Sequence, residues 1–440
     1  MKRQRFRFKF LALLLFGLMA VLALYGGYSV LTNGGRWFAS GHNPRLKSQK
    51  QLVIPGDILD RDGAVLAATD ADGKRVYAED PALRRALVHV VGDQAGHVRN
   101  AVETFQSAYL YGFQASLGER IGDLIHGTAR KGDTVRLTVS AELSRVLADA
   151  FASHGGGNSR GAAVVMNWKT GEVLALVSLP AYDPSDENAE VPGGAYLNCA
   201  TDMLYAPGAA FAPVVWAASL RQDGVSPAER LSKAAEAFGF RENFLFRDLV
   251  VANAVFPAPD RTEEKLAQLE QGFGGIAVTP MHLCAVTAAI ANDGVMMEPR
   301  LLLRITSAAS SGRLEFSSRT ERVCADVSAA AAIRQRLLET ASAGDPSRSV
   351  PSLGAWSGPG DRCAWFAGFL EDSACPYAIC VLVESEDTDA AAAIAGDGLD
   401  WLLAHPVSSR EDSSGTSAGR QENGHGYGII IKITSLEATS

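Results

Sequence analysis

The chain has 440 residues, of which 47% are apolar and 20% are charged. This composition excludes an intrinsically disordered protein and predicts two or three globular domains with a large core. A formal charge of −8, from 41 Lys and Arg against 49 Asp and Glu, argues against nucleic acid as the partner. Five basic residues lie within positions 1–9, so a basic tip precedes an acidic body.

Residues 10–31 form a nearly uncharged run of 22 residues. As a helix this run is long enough to cross the roughly 30 Å of a bilayer's hydrocarbon core. With the basic tip before it, the run predicts a single-pass membrane anchor, a cytoplasmic N-terminus and an extracytoplasmic body. The alternative is a cleaved signal peptide, but its apolar region is usually about 7–15 residues long and ends at a small-residue cleavage site. The run is longer, and Phe38-Ala-Ser40 is a poor cleavage site.

The first half of the body carries three local patterns. Residues 51–77 predict strand, turn and strand, with Asp60-Arg-Asp-Gly63 as the turn. Thr134–Val139 alternates with period two, which predicts a half-buried strand, and Ser140 is placed to cap the helix that follows. Residues 161–180 hold two continuous apolar runs around a short turn, which predict a hairpin in a sheet covered on both faces.

The second half begins with a Pro-Gly turn in Tyr205–Val215, followed by the apolar helix Val214–Leu220, predicted to be central to a core. Further elements are predicted from periodicity and caps. They are a helix at Ala228–Phe238, a helix at Met281–Asn292 started by Thr279-Pro280, a hairpin of Ala364–Phe369 and Tyr377–Val383, a helix at Ala391–Ala404, and a low-complexity tail at 406–440.

The cysteines show no metal-binding spacing, and the sequence predicts neither a metal nor a cofactor. Buried small hydrophobes are the predicted role, although an extracytoplasmic position would also permit oxidation. They are Cys199, Cys284, Cys324, Cys363, Cys375 and Cys380.

Several of these segments resemble class B penicillin-binding proteins. Gly161–Pro180 is similar to the family's Gly-Ala-x-Val-Val-x-Asp-Pro-Lys-Thr-Gly-Glu-Val-Leu-Ala-Met-Val-Ser segment almost residue for residue. Ile54–Ala67 is similar to the family's opening motif, with Pro55 in place of the usual Arg. Leu266–Pro280 resembles the passage that ends in Val-Thr-Pro, with Phe273 in place of a Gln.

The resemblance covers about residues 50–405 and implies an α/β fold of the transpeptidase and β-lactamase-like type. Its core is an antiparallel five-stranded sheet between helices. The implied domains are a membrane-proximal pedestal at 32–140 and a transpeptidase-like domain at 141–405.

Active members of the family use three motifs in order, S-x-x-K, S-x-N and K-T-G. Ala209 and Ala212 stand at the Ser and Lys positions of the first motif, and a methyl group can neither attack a carbonyl nor accept a proton. At the third motif stand Trp356, Ser357 and Gly358, so the cation that binds a substrate carboxylate is missing.

The second motif is absent, because none of the eleven asparagines has a Ser two residues before it. Only seven residues separate Leu220 from Ala228, where the family carries some tens of residues. Lys169-Thr-Gly171 spells K-T-G, but it precedes the nucleophile position and sits at a predicted hairpin turn. We interpret these three residues as the turn of the hairpin, in which the glycine can adopt positive φ.

These losses predict a catalytically degenerate penicillin-binding protein homologue that forms no acyl-enzyme and acts as a scaffold or regulator of peptidoglycan synthesis. The resemblance implies a membrane location and a SEDS-type glycan polymerase, or another cell-wall synthesis protein, as partner. Two alternatives remain open here. One is an active transpeptidase or hydrolase with a relocated nucleophile, Ser357 or Ser219, and the other is a decaying product without a selected role. Whether the cleft binds a stem peptide without reacting is a separate question that the motifs leave open.

Overall fold

A computed structural model describes the chain at residues 13–23, 25–26, 53–70, 72–112, 130–156, 160–186, 190–221, 224–258, 262–307, 312–342, 353–359, 363–385 and 387–406. The chain divides into two compact units, Met1–Leu46 with Ser409–Ser440, and Lys47–Ser408.

In the first unit, residues 13–23 are helical. Among the described residues, no helix is both long and apolar enough to span a membrane. The predicted anchor at 10–31 falls partly outside the described residues, and the tail from residue 407 onward falls entirely outside them. The anchor, its orientation and the domain boundaries therefore stay predictions.

The second unit contains short and long strands. In chain order they are β1 (Val53–Ile54), β2 (Ile58–Leu59), β3 (Val65–Thr69), β4 (Arg75–Tyr77), β5 (Arg130–Lys131), β6 (Thr134–Leu137), β7 (Gly161–Asn167), β8 (Val173–Leu179), β9 (Val295–Met297), β10 (Leu302–Thr306), β11 (Arg313–Glu315), β12 (Thr320–Val323), β13 (Leu353–Pro359), β14 (Ala364–Leu370) and β15 (Tyr377–Val383).

The helices are α1 (Pro81–Val91), α2 (Val102–Phe105), α3 (Ser107–Leu110), α4 (Ala141–His154), α5 (Ala212–Leu220), α6 (Pro227–Ala237), α7 (Glu263–Glu270), α8 (Pro280–Ala291), α9 (Val327–Ser342) and α10 (Thr388–Ala404). A 3₁₀ turn at Gly208–Phe211 leads directly into α5.

The central sheet has five antiparallel strands in the order β13-β14-β15-β7-β8. α8 packs on one face, and α4 and α10 pack on the other. Every residue of β7, β14 and β15 is buried, which confirms the prediction of a sheet covered on both faces. The predicted five-stranded antiparallel sheet between helices is therefore present.

A second sheet has six strands in the order β11-β10-β6-β2-β3-β4. It contains the predicted hairpin, with Gly63 at φ +100° in the turn between β2 and β3, and the predicted strand β6. β10 pairs antiparallel with β6 although the two strands are more than 160 residues apart in the chain. This six-stranded sheet, called the pedestal sheet below, is thus completed by strands that come late in the sequence.

The predicted helix starts are confirmed by their caps. The Ser140 hydroxyl accepts a hydrogen bond from the Leu143 N–H at 3.3 Å, and α4 begins at the next residue. The Thr279 hydroxyl accepts from the His282 N–H at 3.1 Å and starts α8. In both cases the capping side chain lies within three residues of the N–H group that it accepts from.

Helix α5 differs from the prediction. Its Val214, Ala217 and Ala218 are buried, but Trp216 is only half-buried and Ser219 and Leu220 are exposed. α5 packs against α6 and α9, so it is a peripheral helix and the prediction of a central one is wrong. An apolar sequence indicates that every face of a helix could be buried. It does not show that a neighbouring element covers each face.

Candidate functional site

The Pro-Gly turn that precedes α5 is held at three points. Tyr205 exchanges backbone hydrogen bonds with Val278 at 3.0 and 2.9 Å. The Gly208 N–H donates to the Gly272 carbonyl at 3.2 Å. The indole Nε1 of Trp365, a fully buried side chain of β14, donates to the Ala206 carbonyl at 3.0 Å. The turn is therefore fixed to the central sheet and to the strand-like segment before α8.

Ala209 and Ala212 lie immediately after this turn. Ala209 is in the 3₁₀ segment and Ala212 is the first residue of α5, and both are partly exposed. A tight turn leading into a helix is thus present at the positions that the resemblance assigns to the Ser nucleophile and the Lys base. The two methyl groups provide no group that can transfer a proton or form an acyl bond.

The third-motif positions lie beside the same turn. β13 is the edge strand of the central sheet and neighbours the 3₁₀ segment. Gly358 is opposite Trp365 in the register of β13 and β14, and Ser357 is opposite Phe366. Because Trp365 is bonded to Ala206, the structure brings the positions of the first and third motifs together.

The structure has a short link where the resemblance places the loop that carries the second motif. α5 ends at Leu220 and α6 starts at Pro227, with Ser226 as its cap, so six residues connect the two helices. The prediction of a helix at 228–238 is confirmed to within one residue. A link of this length cannot carry a loop of some tens of residues.

Ser219 does not lie beside the positions of the first and third motifs. It lies seven residues after Ala212, about 10 Å further along the helix axis. Its exposed hydroxyl donates to the Trp216 carbonyl of the same helix at 2.7 Å. Ser357 stays a candidate only by its position on β13.

Lys169 has the role of a turn residue. The Asn167 side chain accepts hydrogen bonds from the Lys169 and Thr170 N–H groups, and Gly171 adopts φ +77°. The Lys169 ammonium donates to the Ser373 carbonyl at 2.7 Å on the surface. Lys169, Thr170 and Gly171 therefore form the turn of the β7–β8 hairpin.

Titratable side chains near the turn are desolvated. Burial raises the pKa of the Tyr205 phenol well above its usual value and also raises the pKa of the Cys199 thiol. A thiolate is the reactive form of cysteine, so Cys199 is not activated as a nucleophile. All six cysteines are buried, as their sequence pattern predicted.

Sequence reasoning missed Trp365 as the residue that connects the central sheet to the turn. Its indole N–H must find an acceptor when it is buried, which is the only signal that the sequence offered. The acceptor, Ala206, is 159 residues away and could not be named from sequence.

This fold is that of penicillin-binding transpeptidases. Penicillin-binding protein A from M. tuberculosis, solved as an imipenem acyl-enzyme complex, superposes with a TM-score of 0.69 at 23% identity, covering 80% of this chain and 100% of that chain. PBP2 of Pseudomonas aeruginosa superposes with a TM-score of 0.60 at 19% identity, covering 82% of this chain and 99% of that chain.

Sequence comparisons give matches of the same kind. Residues 161–248 and 226–344 match the penicillin binding protein transpeptidase domain. Peptidoglycan D,D-transpeptidase PbpA of Mycolicibacterium smegmatis is 24% identical over 319 residues, which covers 54% of this chain and 63% of that relative. PbpA of Mycobacterium tuberculosis is 23% identical, covering 65% of this chain and 74% of the relative. The chain carries a transpeptidase domain and is a homologue of PbpA, a class B penicillin-binding protein.

Proposed function

We propose that this protein is a membrane-anchored homologue of the class B penicillin-binding proteins that works in peptidoglycan synthesis without forming an acyl-enzyme. One observation carries the proposal. The backbone frame around Ala209 and Ala212 is retained and firmly held, while no nucleophile or base stands on it. Groups that act as a catalytic unit lose nearly all activity when the nucleophile alone is removed.

The shortened α5–α6 link supports the same conclusion. Six residues join α5 to α6, too few for the loop of some tens of residues that carries the second motif in the family. Without that loop, fewer groups are present to orient a peptide beside Ala209. Orientation of the substrate is a contribution to catalysis separate from the nucleophile and the base.

A fluorescent penicillin tests the absence of acylation. The full chain, purified in detergent, is incubated with the probe next to penicillin-binding protein A of M. tuberculosis, which has been solved as a penicillin G acyl-enzyme complex. We expect labelling of the control and none of this chain. Covalent labelling that unlabelled penicillin displaces would overturn the proposal.

The working surface in this proposal is the anchor together with the pedestal sheet, and a SEDS-type glycan polymerase is the partner. Two observations support it: the pedestal turn and its sheet are present, and Ala209 and Ala212 carry no group able to catalyse. Stem peptide binding without reaction would be an additional property of the cleft.

Co-purification of membrane proteins with matched variants tests this placement. Leu18→Arg would cost about 2.5–3.5 kcal/mol of membrane insertion if 10–31 is the anchor. Val65→Arg changes a pedestal side chain that is 52% exposed, and Leu245→Arg changes one that is 84% exposed in the transpeptidase-like part. We expect loss of the polymerase with Leu18→Arg and Val65→Arg, and retention with Leu245→Arg and Ala209→Leu. If the polymerase still co-purifies with Val65→Arg but is lost with Ala209→Leu, the partner binds near Ala209 and not at the pedestal sheet.

A further inference from the structure

One row of side chains crosses a face of the pedestal sheet. In the strand register, Arg304 of β10 lies opposite Glu315 of β11 on one side and opposite Arg136 of β6 on the other. Leu59 of β2 pairs with Arg136 and also with Val65 of β3. The five residues therefore form one continuous row over five strands, with charged side chains at one end and apolar side chains at the other.

The row lies on the face of the sheet that the core does not cover. In β6, Val135 and Leu137 are fully buried, whereas Arg136 between them is half-buried, so its side chain is on the opposite face. Both ends of the row are open to solvent, because the Glu315 side chain is 59% exposed and Val65 is 52% exposed. A ligand can therefore reach the row from solvent.

The arginines at this end of the sheet carry more charge than the neighbouring carboxylate balances. Glu315 pairs with Arg304 at 3.4 Å and with Arg313, two residues before it on the same strand, at 3.5 Å. Within the described ranges, no carboxylate lies within ion-pair distance of Arg136. Three arginines and one glutamate thus leave an excess of positive charge in a chain that is acidic as a whole.

The sheet fixes the two central guanidinium groups close together. Residues opposite each other in an antiparallel pair have Cα atoms about 4.5–5.5 Å apart, and like charges there are destabilising. The Arg136 Nε donates to the Arg61 carbonyl at 3.2 Å, and its Nη2 would lie 3.3 Å from a Cβ placed on Gly63. An anion bound between Arg136 and Arg304 offsets the repulsion, and Arg136 is already held in place to receive it.

The charge and the apolar end of the row select the ligand. A phosphate monoester carries about −1.5 to −2 charges at pH 7 and accepts bidentate hydrogen bonds from arginine, whereas a carboxylate supplies a single charge. Strands lie about 4.8 Å apart, so Leu59 and Val65 lie about 5 and 10 Å from Arg136, within reach of a short alkyl chain. The row therefore fits an anion that also has an apolar part.

We propose that Arg136 and Arg304 bind the phosphate group of an amphiphile, a long-chain phosphate monoester, whose apolar chain contacts Leu59 and Val65. Each methylene group that leaves water on binding stabilises the complex, so affinity rises with chain length until the apolar end of the row is covered. This ligand goes beyond the proposed function and requires neither a polymerase nor the absence of acylation. Binding to the purified chain alone is therefore distinguishable from co-purification of a partner and from labelling by penicillin.

Titration calorimetry with short, water-soluble alkyl phosphates tests the site. The full chain, purified in an uncharged detergent at low salt, is titrated with hexyl phosphate, butyl phosphate and inorganic phosphate. We expect one saturable site for hexyl phosphate, at least tenfold weaker binding of inorganic phosphate, and an intermediate affinity for butyl phosphate. Hexanoate, which has a similar chain and a single charge, should bind at least tenfold more weakly than hexyl phosphate.

Matched variants separate the two ends of the row. Arg136→Gln and Arg304→Gln should each weaken the binding of hexyl phosphate at least tenfold. Val65→Ser should remove the gain in affinity from butyl to hexyl phosphate and keep the binding of butyl phosphate. Arg145→Gln is the control and should bind like the wild type, because Arg145 lies on the surface of α4, outside the pedestal sheet.

A thermal unfolding scan gives a second readout. Saturating hexyl phosphate should raise the Tm of the wild type and of Arg145→Gln, but not that of Arg136→Gln. If Arg304→Gln fails to fold, Arg136→Gln and Val65→Ser decide. The proposal is overturned by the absence of saturable binding in the wild type, by wild-type affinity in Arg136→Gln, or by hexanoate or inorganic phosphate binding as tightly as hexyl phosphate.

Discussion

Glu172 and Arg300 form an ion pair of 2.8 Å in which both side chains are almost completely buried, at 4% and 3% exposure. Arg61, from the pedestal turn between β2 and β3, approaches the other oxygen of Glu172 at 3.5 Å and donates to the Thr138 carbonyl at 3.0 Å. The Arg300 N–H also donates to the Gly171 carbonyl at 2.9 Å. The carboxylate of Glu172 therefore connects the pedestal turn, the β7–β8 hairpin and the segment before β10.

Replacing Glu172 with Gln should destabilise the fold strongly. The change removes the carboxylate that pairs with two buried guanidinium groups. Removal of one partner from a buried ion pair typically costs about 3–5 kcal/mol. Urea unfolding measures the loss. Arg145→Gln is the control, because Arg145 pairs with Glu142 and Asp149 on the surface and such pairs contribute about 0–1 kcal/mol. Equal effects of the two variants would contradict this account.

Gly272 and Gly275 offer a matched pair of glycine substitutions. Both have positive φ, +77° and +97°, so an alanine is strained at either position. A Cβ on Gly272 would lie 2.0 Å from the Gly208 carbonyl oxygen, whereas a Cβ on Gly275 meets nothing within 4 Å.

Gly275→Ala should therefore cost about 1–2 kcal/mol from backbone strain alone. Gly272→Ala should cost clearly more, because the clash pushes on the turn before Ala209. Chemical unfolding of both variants measures the difference. A difference near zero would mean that the Gly208 turn is not held against Gly272 as described.

The stability contribution of Asp248 should depend on pH. Asp248 is buried and accepts hydrogen bonds from the Leu301 and Leu302 N–H groups at 3.0 and 2.7 Å. Burial outweighs these bonds and raises its pKa from 3.8 to about 6. Since the folded pKa is raised, the folded state binds the proton more tightly, and the contribution is full below about pH 4 and is lost as the pH rises through 6.

We expect the wild type to lose stability relative to Asp248→Asn by about 2–3 kcal/mol between pH 4 and pH 7. Asparagine keeps an oxygen that accepts the two N–H groups and has no proton to lose. Unfolding of both proteins across this range measures the difference, and other titrating groups cancel in it. A pH-independent difference would contradict burial as the dominant cause.

Restoring the first motif alone should not restore acylation. In Ala209→Ser, Ala212→Lys the nucleophile and base return to a frame that Trp365 and Gly272 already hold. The third motif still lacks its Lys, and the α5–α6 link still lacks the second motif. Intact-mass measurement after incubation with penicillin G should detect no adduct. A stoichiometric adduct would show that the other two motifs contribute less than we infer.

Much of the fold follows from local sequence. The β7–β8 hairpin is specified by two apolar runs, the Asn167 side chain at the turn and a glycine at a position of positive φ. The starts of α4 and α8 follow from Ser140 and Thr279. These features depend on residues within a few positions of each other, so they can be read without knowing the rest of the chain.

Local sequence determines which residue types occupy the candidate site, but not how they are arranged in space. The sequence by itself shows that Ala209, Ala212 and Trp356 carry no nucleophile, base or cation, because the type of residue decides what chemistry its side chain can do. That Gly358 lies opposite Trp365, and that Trp365 bonds to Ala206, is decided by the pairing of strands far apart in the chain.

The tertiary structure alone decided two further features. β10 joins the pedestal sheet, and α5 lies at the periphery. Each depends on which surfaces face one another after the chain has folded. Local propensity and periodicity report which face of an element is apolar or polar, whereas the neighbour of that face is chosen by packing and by hydrogen bonds between distant segments.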